Sequence, residues 1–186
     1  MIIYFLRHGE TEWNKKKILQ GQKDSPLTLK GKKSAEKKGK ILEKKRVDII
    51  YTSDLGRCVQ TAQIINRRLK LRMIKVKQLR ERNFGDLNGR PNKEIKRMLD
   101  LNNSDEKAPN GESFNELKNR AVSFFKKLAV EKYSKVLLVI HDGTARAILS
   151  EYYNTNFNSH QCETSASAIY FLEAHGNKLK NLGIIK

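Results

Sequence analysis

Cysteine is scarce: the chain has only Cys58 and Cys162 among 186 residues. Their spacing suits neither a zinc site nor a disulfide framework, so reduced thiols in a cytoplasmic setting are the expectation. Long apolar runs are lacking too. None exceeds six residues, where a membrane-spanning helix needs about 20, so no membrane association is expected. The chain passes straight from Met1 into an apolar stretch, without a basic segment or a small-residue cleavage site, and so predicts no secretory signal. There is no Walker-type phosphate loop, which disfavours nucleotide-driven chemistry. Repeats and linkers are missing as well. Residues 1–186 therefore read as one domain, long enough to bury a substantial core.

Acidic residues are the other shortage: 20 Asp and Glu against 38 Lys and Arg leave a net charge of +18. Lys recurs in runs such as Lys15-Lys16-Lys17, Lys32-Lys33, Lys37-Lys38 and Lys44-Lys45-Arg46. One reading is a surface that neutralises nucleic-acid phosphates. No helix-turn-helix, zinc-finger or RNA-binding aromatic motif accompanies the charge, however, and several of these Lys lie on the outer face of an amphipathic helix. A solvated surface that draws in small anions is the favoured reading, and no specific nucleic-acid partner is predicted.

What is present is an alternation of short apolar runs with amphipathic stretches. Residues 1–6 read as a buried strand. A helix over 28–45 follows, with Thr28 as N-cap, then a strand over 47–52. Ser53 or Asp54 is expected to cap a helix over 55–69, where Cys58, Ala62, Ile65 and Leu69 keep a 3–4 residue spacing. Residues 71–76 form a third strand. Residues 78–89 are Gly-punctuated and long enough for an active-site lid. A short basic helix over 92–101 and a polar, mobile stretch over 102–110 come next. Ser113-Phe114-Asn115-Glu116 is a capping box for a helix running to about 132, and that box accounts for Ser113. Residues 135–140 are the most apolar strand, followed by a helix over 144–153. A strand over 167–172 leads through a turn at Ala174-His175-Gly176-Asn177 into a last strand over 179–185. His160 and His175 fall in turns and read as structural. The fold class is α/β, mainly parallel, with helices on both faces.

Two strands end in the same way. The first runs into Arg7-His8-Gly9, the fourth into His141-Asp142-Gly143, and ligands of such sheets bind at the carboxyl ends of strands. Arg57 falls in the first turn of a helix, where a cation opposes the dipole and calls for a partner anion; a phosphate would suit. Two imidazoles and two guanidiniums thus converge. No carboxylate, Cys or further His is spaced to complete a metal site, whereas the planar fork of Arg fits phosphate. Arg7 and Arg57 would neutralise a transferring phosphoryl group, and their charge would keep His8 neutral and nucleophilic.

Arg7-His8-Gly9-Glu10-Thr11 resembles the signature of the histidine phosphatase (phosphoglycerate mutase-like) superfamily. Further blocks stand in the family's order: Leu19-Gln20-Gly21 with Asp24-Ser25-Pro26-Leu27-Thr28, Ser53-Asp54-Leu55-Gly56-Arg57, the run from Leu79 to Gly89, Pro109-Asn110-Gly111-Glu112-Ser113, and His141-Asp142-Gly143. The resemblance implies a three-layer α/β/α sandwich with a mostly parallel sheet. It also implies a metal- and cofactor-independent phosphomonoesterase acting on a small phosphorylated metabolite. By resemblance His8 is the nucleophile, Arg7, Arg57 and His141 hold the phosphoryl group, and Glu81 is the proton donor. Arg80 and Arg82 would oppose the raised pKa that role needs unless they point away. Asn14 and Gln20, with Gly21 beside it, match substrate-contacting positions; loop-stabilising amides are the alternative. The family commonly has Gly or Asn after the second His. Asp142 replaces it here, either as the N-cap of the following helix, the favoured reading, or as a carboxylate that favours charged His141. The compact loops favour a phosphatase over a phosphoglycerate mutase, and the intact site set argues against a basic binding protein on a decayed scaffold.

Overall fold

Alternation along the strands decides the layering. The computed structural model describes residues 1–175 and 178–185. Strands β1 (Ile2–Arg7), β2 (Ile49–Ser53), β3 (Met73–Val76) and β4 (Lys135–Ile140) join β5 (Ile169–His175) and β6 (Lys178–Ile185) in one sheet of order β3-β2-β4-β1-β5-β6. The first four are mutually parallel; β5 and β6 add an antiparallel edge. Side chains one residue apart go to opposite faces. Ile3, Phe5, Leu138 and Ile140 therefore enter one core with Phe125 and Leu128, whereas Tyr4, Leu6, Leu137 and Val139 enter the other with Leu42, Ala62 and Ile65. The first core is covered by α5 (Phe114–Leu128) and α6 (Asp142–Tyr153), the second by α2 (Leu29–Glu43) and α3 (Gly56–Leu69). This is the expected three-layer sandwich. Two short helices, α1 (Glu12–Lys15) and α4 (Asn92–Met98), lie in the connections.

The helix starts divide into local and remote caps. Thr28 accepts from Gly31 N at 3.0 Å, and Ser113 and Glu116 form the reciprocal box expected at α5. At α3 the expectation fails: Leu55 is the N-cap, without a side-chain bond. Ser53 closes β2 instead, and Asp54 is drawn away by Arg80, 2.7 Å from each of its oxygens. The open N–H groups of Gly56 and Arg57 donate to Asp24, at 2.6 and 3.2 Å, so a carboxylate distant in the chain caps the helix. Asp142 is no N-cap either. It is the first residue of α6, and its carboxylate turns sideways.

Strand β3 starts two residues later than expected, α4 ends at Met98, and β5 extends to His175, so Ala174 and His175 are strand rather than turn. Gly176 and Asn177 of the expected turn lie outside the described residues. The 102–110 stretch is pinned: Ala108 is buried, Glu106 O accepts from Arg82 and Ser104 O from Asn115 N.

Candidate active site

Register builds the site. Arg7 of β1 stands opposite Ile140 of β4, so the next residues, His8 and His141, leave the sheet side by side with ring centroids 5.2 Å apart. A turn must follow at once, because the chain meets the first turn of α2: a Cβ on Gly9 would sit 2.7 Å from Gly31 O. His8 is buried. Its Nδ1 lies 2.8 Å from Gly9 O, which can only accept, so Nδ1 carries the proton and Nε2 the lone pair. Arg57 Nε donates to that lone pair at 3.2 Å. Burial, then the charges of Arg57 and Arg7, hold His8 well below the usual histidine range.

Arg57, 1% exposed, is fixed on every side. It donates to Gly21 O at 2.7 Å, Lys23 O at 2.8 Å and Asp24 Oδ1 at 2.9 Å. The helix-start cation thus has a carboxylate partner in Asp24 while it also lines the cavity. Gly21 supplies a backbone carbonyl at positive φ (50°), a conformation that favours glycine. Arg7 is partly exposed and holds Asp142 Oδ1 at 3.3 Å.

His141 is fully buried behind His8 and is not on the cavity wall. Its Nε2 lies 2.8 Å from Ser53 Oγ and 3.3 Å from Cys58 Sγ. Burial, then Arg57, His8 and Arg7, lower its pKa well below the usual value. Asp142 does not offset this. Burial pushes its carboxyl up, but Arg7, Thr164 and Arg146 outweigh burial and keep it below the ordinary value. Its carboxylate accepts from Thr164 at 2.7 Å and from Arg146 at 3.1 Å.

Glu81 closes the far side. Its carboxylate accepts from Arg82 N at 2.8 Å and Gly143 N at 3.2 Å. A Cβ on Gly143 would run into Oε1, so a larger residue there would push the Glu81 carboxylate out of this place. Burial raises the Glu81 pKa and Asp142 adds to it, outweighing the two backbone donors and Arg57. Both flanking arginines point away: Arg80 to Asp54, Arg82 to Glu106 O and Glu112 O and over the Phe84 ring at 4.8 Å.

These groups line a cavity of about 350 Å³. Arg7, His8, Arg57 and Glu81 form its charged end; Phe84, Leu101, Phe114, Leu117 and Phe157 form an apolar wall. Asn14, Gln20 and Gly21 also line it. Asn14 Oδ1 is committed to the Thr11 cap of α1, as a loop-stabilising amide. Gln20 Oε1 is buried with no protein partner among the described residues. Sequence reasoning missed Arg120 and the aromatic wall as parts of this site, and it gave Asp24 no role there although it named that residue; each meets the site from a segment distant in the chain.

A sequence model of the histidine phosphatase superfamily (branch 1) matches residues 3–183. The uncharacterized phosphatase PhoE of Bacillus subtilis is 35% identical over 150 residues, covering 80% of this chain and 76% of that protein. The probable phosphoglycerate mutase GpmB of Proteus mirabilis is 36% identical over 157 residues, 80% of this chain and 73% of its own. Among solved structures, YhfR of Bacillus stearothermophilus superposes with a TM-score of 0.86 at 29% identity, over 96% of this chain and 94% of that one. With the parallel sheet and the paired histidines at the carboxyl ends of its two central strands, these matches establish that the chain belongs to the histidine phosphatase superfamily, branch 1, as a phosphatase-type enzyme of phosphoglycerate mutase-like fold.

Proposed function

We propose that the chain is a metal-independent phosphomonoesterase, one domain over residues 1–186, that hydrolyses a small phosphorylated metabolite in the cytoplasm. The observation that carries this is His8: its Nε2 lone pair is held at the charged end of the cavity, beside two guanidiniums. Nε2 attacks phosphorus as the P–O bond to the leaving group breaks. Arg7 and Arg57, both on the cavity wall, neutralise the phosphoryl oxygens; His141, assigned to the same group by resemblance, stands behind His8 off that wall and has to shift to reach it. The departing alkoxide takes the Glu81 proton. Glu81, now a carboxylate, takes a proton from water as the water oxygen attacks phosphorus, the P–N bond breaks, and phosphate leaves with His8 neutral again. Gln20 Oε1, buried and without a partner among the described residues, suits a hydroxyl donor on the substrate. Among the described residues no group of three or more His, Cys, Asp and Glu is placed to hold a metal ion, so the cations of the chain carry the charge neutralisation in this scheme.

The test is phosphate release from an aryl phosphate and from sugar phosphates, phosphoserine and phosphoglycerates in excess EDTA, with His8→Ala in parallel. Turnover that survives EDTA and falls by at least about 10³-fold in the variant supports the scheme. Turnover lost to EDTA, or retained by the variant, overturns it. The resemblance to GpmB keeps a mutase reading in view. Interconversion of 3- and 2-phosphoglycerate with a bisphosphate primer, without hydrolysis of any ester, would establish that reading instead.

A further inference from the structure

Outside the reacting groups, the Arg120 guanidinium has all five of its N–H donors engaged. Arg120 of α5 directs three of its five N–H groups into the segment that carries Glu81 and the other two onto Glu112. Nη1 donates to Gln78 O and Arg80 O, each at 2.8 Å. Nη2 donates to Glu81 O at 3.0 Å and to Glu112, and Nε to Glu112 Oε2 at 2.9 Å. A guanidinium has five donors in a rigid plane, so this set fixes its position completely.

Glu112 extends the brace. Its Oε1 also accepts from Asn83 N at 2.8 Å, its own N–H donates to Asn83 O at 2.8 Å, and its carbonyl accepts from Arg82 Nε at 3.0 Å. On the other side Thr144 Oγ1 reaches Leu79 O and Arg80 O. The backbone from 78 to 83 has little regular structure: a short 3-10 turn over Lys77–Leu79 ends before Glu81. Its conformation is therefore set by these side chains rather than by a helix or strand ladder. The two donors that meet the Glu81 carboxylate, Arg82 N and Gly143 N, sit inside the same brace.

We infer that Arg120, buckled to Glu112, is a positioning residue for proton donation: it holds the Glu81 backbone so that the carboxyl faces the leaving-group oxygen. This rests on the assignment of Glu81 as the acid. Lys has three mobile donors and cannot span Gln78 O, Arg80 O, Glu81 O and Glu112 together, so Arg120→Lys would let the segment shift. A shift of order 1 Å at a catalytic group costs about 100-fold.

The experiment compares two substrates. An aryl phosphate with a good leaving group, 4-nitrophenyl phosphate, departs without a proton; an alkyl phosphomonoester that the enzyme turns over does not. In kcat/KM, which covers the steps through leaving-group departure and not the later water attack in which Glu81 is the base, Arg120→Lys is expected to lower the alkyl ester's value by about 10- to 100-fold and the aryl ester's by less than about 3-fold, with inhibition by inorganic phosphate unchanged. Glu112→Gln is expected to give the same split, and it serves where Arg120→Lys does not fold. In a Glu81→Gln background Arg120→Lys should cost nothing further on the alkyl ester, because the acid it positions is gone. Equal slowing of both esters, or additive loss in the double variant, overturns the inference while the Glu81 assignment stands. If Glu81→Gln alone shows no leaving-group dependence, the acid assignment itself fails.

Discussion

A histidine attacks phosphorus only as the neutral imidazole, and a carboxyl donates a proton only while it keeps one. The same burial meets both conditions. It pushes His8 well below the ordinary histidine value, helped by Arg57 and Arg7, and pushes Glu81 above the ordinary carboxyl value. The signs fix the pH profile. His8 is active deprotonated and its pKa is depressed, so activity holds below the usual histidine range. Glu81 is active protonated and its pKa is raised, so turnover of an alkyl ester falls as pH rises through that pKa. In kcat/KM, which ends at leaving-group departure, an aryl ester should lack the alkaline fall. Glu81→Gln should cost about 10²- to 10⁴-fold on the alkyl ester and remove its alkaline limb. Steady-state kinetics across pH with both esters checks this, and an unchanged limb in the variant would assign it to another group.

At the level of elements, the start of α3 binds the site to the fold. Asp24 caps its first N–H groups and pairs with Arg57, whose side chain is almost wholly buried and lies against His8. Asp24→Ala removes a cap, worth about 1–2 kcal/mol, and strips a buried guanidinium of its carboxylate. Urea denaturation should show at least that loss. Thr28→Ala at α2 removes a cap and the hydroxyl's bond to Glu10, away from Arg57, and should cost about 1–2 kcal/mol, with activity retained. If Asp24→Ala left both stability and activity intact, Asp24 would be neither cap nor anchor.

Over the whole molecule, the net charge of +18 acts at a distance. Lys side chains on α2 such as Lys30, Lys32, Lys33, Lys37 and Lys40 are exposed. Such a surface raises the local concentration of anions, and salt screens it, with a Debye length of about 10 Å at 0.1 M and about 3 Å at 1 M. For a dianionic ester kcat/KM should therefore fall several-fold between low salt and about 0.5 M KCl while kcat holds. A kcat/KM that does not respond to salt would confine the field's role to solubility. Lys38 is the exception among these lysines. It is buried on α2, donates to Ala166 O at 2.7 Å, and has its pKa lowered to about 8 by burial and by Arg7.

Local pattern determined the elements, the layering and the chemistry class. Apolar runs and 3–4 residue spacing are properties of neighbours in the chain, and so are Thr28 and the Ser113–Glu116 box. Arg7-His8-Gly9 and His141-Asp142-Gly143 mark the two strand ends by residue type alone, each following an apolar run with a His and a Gly. Tertiary structure decided what depends on groups remote in sequence. Ser53 and Asp54 looked like caps because they precede a helix, yet Asp24 reached the free N–H groups while Arg80 took Asp54. Asp142 looked like a cap for the same reason, yet Arg7, Arg146 and Thr164 turned its carboxylate sideways. The Glu81 pKa depended on where Arg80 and Arg82 pointed, and only their partners, Asp54 and the carbonyls of Glu106 and Glu112, settle that. Hydrogen bonding and burial are properties of the packed neighbourhood, and sequence alone does not say which distant segment supplies it.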